Sequence, residues 1–449
     1  MNITKLQLAE RGALLALGSA ILSGSIYAAP NSGTSDSLSM TEKTLAAVPI
    51  APAGTLDTLH EALTSGHFFG SVRYRFESVD QTRVGAEFDS EGRASTLRTR
   101  LGYETGKFHG MSGVLEFSNV ASVPGGYHDY NDAVSATPPN RPTIADPTVT
   151  VVNQVYVQHD NVLNGKVKLG RQRIALGNKR FIGNVGWRQT EQTYDSISYD
   201  GKYKYGMSMY YAYIDRANTI LGASQEHGSH ILNLGKNWEN LGTLTAYGYY
   251  LDFPDGDMVG PSGAKSTVTI GGNFVGDMNL GENRSLLYGI ELAHQSDVGD
   301  NPVEVSATYS HAYLGAEVSG ITAKVGFESL DGHKSGDGNR AFQTPLATKH
   351  AWNGWADKFL TTPSGGLEDV YIMVGFKRDA FGADVTFHNF DAELSQTGSY
   401  GSEVDGRISY KVNENMDLGV KMADFNADSD NTIGLQDTKK YWIWMSYSW

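Results

Sequence analysis

Arginines recur in this chain at a spacing of two. Arg73 and Arg75 form one pair and Arg98 and Arg100 another. A third cluster gathers Arg171, Arg173, Lys179, Arg180 and Arg188, while Lys168, Arg407 and Lys421 carry further cations. A guanidinium stays charged and offers a planar fork of donors matched to carboxylates. Its chemistry is recognition rather than turnover. On an extended chain, a spacing of two puts both members of a pair on one face. The pairs therefore predict a ladder of fixed cations able to draw in an anion. The same face carries Glu77, Glu104, Glu116, Glu291, Glu328, Asp384 and Asp405. A second outcome is thus open at each position. The cation pairs with a neighbouring carboxylate, such as Arg75 near Glu77 or Arg407 with Asp405, and only supports the wall.

Catalytic patterns are missing. There is no HExxH motif, no Walker lysine loop and no GxSxG elbow. The 12 histidines are scattered and there is no cysteine. The expectation is a protein that is not an enzyme and carries no cofactor or metal. A formal charge of −14 argues against a nucleic-acid partner. It leaves an anionic cargo open, because charge on outer loops and charge inside a pore are separate quantities.

These side chains need elements to hold them. Lys5 and Arg11 precede an apolar run, 13–26, followed by Tyr27, Ala28 and Ala29. This reads as a secretory signal, residues 1–28. Residues 29–65 read as a flexible periplasmic leader with a short helix at 55–65, where Leu56, Leu59 and Leu63 share a face. No later stretch is apolar enough for a membrane helix. Composition points to strands instead, with 52 Gly, 24 Tyr, 17 Phe and 7 Trp against 13 Pro.

From residue 66 onward the hydrophobic period is two. Val72, Tyr74 and Phe76 alternate with Arg73, Arg75 and Glu77, and Leu97 and Leu101 alternate with Arg98 and Arg100. The last residues Tyr441, Ile443, Met445, Tyr447 and Trp449 share one face. A soluble sheet should not expose such a face. The fold class expected is all-β, a single transmembrane antiparallel barrel over residues 66–449. The pattern yields 18 strands, or 16 if one weak pair near 229–274 fails. Both counts are even, as single-chain bacterial barrels require.

The connections alternate as well. Short turns fall near 105–109, 159–164, 201–204, 235–240, 377–380 and 413–415. Long ones span 79–94, 120–149, 174–192, 215–228, 331–367 and 426–439. That phase puts both termini on the periplasmic side. The basic stretch 171–188 holds Phe181 and Trp187, and 331–367 holds Phe342, Trp352, Trp355 and Phe359. Loops with such packing residues are expected to fold into or across the mouth.

Two blocks, LGRQRIALGNKRFIGNVGWRQTEQTYDSISYDG at 169–201 and AFQTPLATKHAWNGWADKFLTTPSGGLEDVY at 341–371, resemble the alginate-export family of outer-membrane barrels. The resemblance implies an 18-stranded barrel with an arginine-rich conduit for a polyanion and loops that partly occlude it. It implies that Arg171, Arg173, Arg180 and Arg188 contribute to a positive constriction. Arg73, Arg75, Arg98 and Arg100 would line the wall, and Asp195 would hold the basic group in place. The partners expected are outer-membrane lipid, the barrel-insertion machinery and an anionic or polar solute or saccharide, with the chain acting as a monomer. Two other classes remain open. A structural or adhesion barrel would have a closed lumen, and a channel for small hydrophobic molecules would have an apolar one.

Overall fold

A computed structural model describes residues 58–82, 90–123, 141–254, 265–299, 301–333, 339–395 and 397–449. The expected signal at 1–28, the leader up to residue 57 and parts of several long connections lie outside the described residues. Of the leader, the described part is a single helical turn, α1 (Leu59–Thr64). Thr58 caps it by accepting the Glu61 N–H at 3.1 Å, and the Glu61 carboxylate accepts the Thr58 N–H in return. The helix is shorter than the sequence suggests. Its leucines do not pack, since Leu59 and Leu63 are exposed and only Ala62 is buried.

The strands, in chain order, are β1 (His67–Gln81), β2 (Glu91–Glu104), β3 (Met111–Ser122), β4 (Val149–Val162), β5 (Gly165–Gln172) and β6 (Thr193–Lys202). Then come β7 (Met207–Asn218), β8 (Ser224–Trp238), β9 (Gly242–Leu251), β10 (Thr267–Gly281), β11 (Arg284–Asp297) and β12 (Ser306–Val318). The last are β13 (Ile321–Leu330), β14 (Leu367–Arg378), β15 (Phe381–Asp391), β16 (Ser399–Lys411), β17 (Met416–Ala427) and β18 (Thr438–Ser448). Among the described residues they form one 18-stranded sheet in which each strand pairs antiparallel with its chain neighbours. β1 pairs with β18, with Val72 opposite Tyr447, and closes the barrel. The alternative of 16 falls away, because β8, β9 and β10 are each paired on both sides.

Closure satisfies every strand edge, which is what lets strands cross lipid. The two faces sort by chemistry. Ile443 is 53% exposed and Leu292 54%, whereas Arg98 is 1% and Glu77 1%. In an isolated barrel the exposed apolar face is the lipid face and the shielded polar face is the lumen. Outward aromatics gather at the strand ends beside the short turns: Phe68, Trp238, Phe376, Phe381, Tyr410, Tyr447 and Trp449. They form an interfacial girdle. α1 sits at that rim, where the Tyr103 hydroxyl donates to the Leu63 carbonyl at 2.7 Å and the Gly106 N–H to that of Ala62 at 2.8 Å.

One connection differs from expectation. Residues 215–228 are not a long loop, because β7 reaches Asn218 and β8 begins at Ser224. The strands continue beyond the apolar band, held by an exposed pair of Arg216 and Glu226 at 2.9 Å. Loss of the hydrophobic period marks the edge of the membrane here, not the end of the strand.

Candidate functional site: the loop-filled lumen

The chain between β5 and β6 (173–192) and the chain between β13 and β14 (331–366) both turn inward from the long-loop rim. Their aromatic residues are buried as expected, with Phe181, Phe342, Trp352, Trp355 and Phe359 all within 9% exposure. Phe181 packs edge-on to Phe342 and Tyr309, with Tyr247 and Tyr249 beside it. Trp187 stacks on His350 at 5.2 Å and meets Trp442 and Trp444 edge-on. These contacts join both loops to β9, β12 and β18.

The β1 arginines hold the first loop. Arg73 donates to the carbonyls of Gly186 at 3.1 Å, Trp187 at 3.0 Å and Arg188 at 2.5 Å, and to the Gln189 side-chain oxygen at 2.9 Å. Arg75 bonds the Trp187 carbonyl and the carboxylate of Asp146, which comes from the chain ahead of β4. Arg188 then bonds Glu77 at 2.9 Å and Asp357 of the second loop at 3.1 Å. Lys440 of β18 bonds the same Asp357 oxygen at 2.7 Å. A chain of alternating charges thus ties three connections to the neighbouring strands β1 and β18.

Beside it, burial pushes His350 down to about 4 despite Asp357, with Lys421 adding to the shift. The imidazole is therefore neutral. The network assigns its proton to Nδ1, which donates to Asp357 at 2.7 Å, while Nε2 accepts from Lys421 at 2.9 Å. Burial pushes the Asp357 carboxyl up, but its cationic and hydrogen-bonding neighbours outweigh that and hold it well below the carboxylate range.

Two further fastenings use the same logic. Arg180 reaches Glu328 of β13 at 2.7 Å and Asn353 at 3.0 Å, under the ring of Trp352. Glu403 and Asp405 of β16 accept the backbone N–H groups of Ala356 at 2.7 Å and Trp355 at 3.1 Å. Arg407 pairs not with Asp405 but with Asp384, directly opposite on β15, at 2.6 Å. Asp405 is engaged by the loop. Lys421 lies over Trp355 at 3.5 Å and over Trp187 at 4.4 Å.

On β2 the situation changes. Arg98 and Arg100 are buried on the lumen face at 1% and 3% exposure. Arg100 meets Glu191 at 3.2 Å, yet its Nε and one Nη have no hydrogen-bond partner. Arg98 likewise has Nε and one Nη without a partner. Glu191 is shared with Arg173 at 2.5 Å and bonded by Asn153 at 2.6 Å and Asn184 at 3.0 Å. Burial raises the Glu191 carboxyl, but Arg100 and Arg173 outweigh it and keep it far below its usual range. Arg173 also reaches Glu116 of β3 at 2.9 Å. Lys168 on β5 lies over the Tyr156 ring at 4.5 Å, near the short-turn end of the lumen.

Two of the predicted site residues are not in the lumen. Arg171 and Asp195 face each other across β5 and β6 and form a two-pronged pair at 2.7 and 2.9 Å. They share a face with Leu169 and Ile197, which are exposed on the lipid side. Asp195 therefore orders Arg171 and accepts from Asn218 at 3.0 Å, and does not hold the loop cluster. Parity from Leu169 could have found this. No local pattern marks Asp146, Glu191, His350 and Asp357, because each has partners far away in the chain.

A sequence model for alginate export matches residues 66–321. Among solved structures, the Pseudomonas aeruginosa channel OccK9 (OpdG) is similar with a TM-score of 0.67 at 13% identity, over 86% of this chain and 99% of that one. A BenF-like porin from Pseudomonas fluorescens gives 0.65 at 12%, over 86% and 99%. Pseudomonas aeruginosa OpdK, solved with vanillate, gives 0.62 at 12%, over 85% and 99%. At these identities the likeness is one of fold. No curated protein matches the chain.

Proposed function

We infer, from the premise that this chain belongs to the alginate export family, that it conducts anionic solutes past a loop constriction, and that Arg98 and Arg100 of β2 are the groups they touch. The protein is an outer-membrane β-barrel that serves transport and not catalysis. The observation that carries the finer reading is the set of unpartnered guanidinium N–H groups on Arg98 and Arg100. A buried donor left unmet is costly, and a charged one more so. A carboxylate supplies the acceptors these groups lack, and their fork suits its geometry.

Arg73, Arg75, Arg180 and Arg188 act differently in this reading. Their donors are turned to loop carbonyls and carboxylates, so they hold the constriction in place and do not bind cargo. Small organic acids and acidic saccharides both fit the β2 arginines. The family's name favours alginate, a chain of sugar carboxylates, while the vanillate seen with OpdK favours single acids. The charged wall weighs against a channel for hydrophobic molecules. Folding into the bilayer with the help of insertion machinery is consistent with the outward face of β18 and its terminal aromatic. A signal at 1–28 and a periplasmic leader ahead of the barrel belong to the same proposal.

The test is the reversal potential of purified protein in a planar bilayer under a KCl gradient. Wild type should prefer chloride. The double variant Arg98→Gln/Arg100→Gln should lose most of that preference with little change in the heat stability of the barrel. Unchanged selectivity would reject the assignment.

A further inference from the structure

Away from the β2 arginines, a cavity of about 120 Å³ opens at the long-loop rim. It is lined by three segments. Gln225 comes from the start of β8, Phe253 and Lys265 from the chain joining β9 to β10, and Gln343, Lys349 and Thr361 from the inward loop ahead of β14. Phe253 is buried and gives a fixed apolar wall, packed at 4.3 Å from the His227 ring. Lys265 lies 5.6 Å from the Phe253 ring centre. Lys349 sits in a single 3-10 turn, Lys349–Ala351, and is largely shielded from water.

Two ammonium groups in one small cavity, with no carboxylate among its described lining residues, are an unusual arrangement in a chain this acidic. Elsewhere in the lumen Arg188 is matched to Glu77 and Arg180 to Glu328. Burial drives Lys349 down to about 8, and the neighbouring cations Lys265 and Arg180 push the same way. An anion bound between the lysines would relieve both effects. Gln343 is already committed, its amide exchanging bonds with the Thr362 backbone at 2.9 and 3.2 Å. Gln225 and Thr361 remain as polar groups suited to hydroxyls on a ligand.

We propose that this cavity is an entry site for one carboxylate-bearing, hydroxylated ring, with Lys265 and Lys349 holding the carboxylate and Phe253 lying against the ring. The cavity is small beside the roughly 300–1,000 Å³ of drug-sized sites, which favours a single ring. The same chemistry is presented by a free sugar acid and by the end unit of an acidic oligosaccharide. The proposal deepens the reading of an anion channel, because it adds a capture step ahead of the β2 arginines.

Calorimetry on the detergent-solubilised full-length mature protein tests it, with galacturonate, digalacturonate and glucose as probes at pH 6.5. Galacturonate should bind and glucose should not. Lys349→Gln and Lys265→Gln should each weaken galacturonate binding at least tenfold. Measured in the Arg98→Gln/Arg100→Gln background, which removes the β2 contact, the lysine-dependent binding should persist, so that failure of the β2 reading and failure of this one give different results. Wild-type affinity should fall as pH rises through about 8, where Lys349 loses its proton. Digalacturonate binding as well as the monomer assigns the site to chain ends, and much weaker binding assigns it to free acids. Equal binding of glucose, or galacturonate binding indifferent to both lysine substitutions, would overturn the proposal.

Discussion

β1 and β2 are hydrogen-bonded neighbours, and each carries two arginines on the lumen face at the same spacing. Arg73 stands directly opposite Arg98 in the register. Yet the β1 pair is turned to the inward loop, with Arg73 alone meeting three backbone carbonyls and only the Arg75 Nε unmet, while each β2 arginine keeps its Nε and one Nη unmet. Residue type, face and spacing are the same, so the difference comes from what the loop offers each strand. The loop carbonyls at 186–188 converge on β1. Toward β2, the loop offers Arg100 the single carboxylate of Glu191, which Arg173 shares. One pair of arginines is an anchor and the other is a candidate contact for cargo.

That contrast can be broken most violently at Arg188, which ties Glu77, Asp146 and Asp357 together. Arg188→Ala leaves three buried carboxylates short of a partner, a loss of roughly 3–5 kcal/mol in such settings. The barrel should persist and the loops should come free. The readouts are higher single-channel conductance and new proteolysis within 173–192, and unchanged conductance would count against the anchor role. Next in size is Arg98→Gln/Arg100→Gln, which should change ion preference while conductance stays near wild type. Arg73→Gln should show the reverse pattern.

A smaller, graded effect should follow from pH. His350 is held neutral, with its proton affinity depressed below that of a free imidazole. The unfastened loop binds a proton more readily than the docked one, so docking is favoured above about pH 6.5. It weakens as pH falls toward about 4, where a charged His350 would face Lys421. Channel noise from loop motion should rise over that window, and His350→Gln should flatten the response. The least effect is expected at Arg171→Ala. Its pair with Asp195 is about a quarter exposed on the outer wall, away from the conduction path. Selectivity should not change.

The sequence makes the barrel legible because lipid and water enforce a period of two on every strand. Where that enforcement stops, so does legibility. β7 and β8 run on past the apolar band, and the alternation gives no sign of it until the Arg216–Glu226 pair is seen. The arginine faces were readable by parity, and Arg171 went astray only because it was grouped with the loop and not counted from Leu169. The anchors were not readable. Arg73 and Gln189 are 116 residues apart, and no local pattern distinguishes a guanidinium that holds a loop from one that waits for a solute. Asp146 and Asp357 gain their meaning only from the fold that brings them to Arg188.

The most direct test of the division between the two strands is anomalous diffraction from crystals of the protein soaked in bromide. The account predicts bromide density within hydrogen-bonding reach of Arg98 and Arg100 and none at Arg73 or Arg75, whose terminal guanidinium nitrogens are taken by the loop and Asp146. Bromide at the β1 pair, with the β2 pair bare, would contradict it.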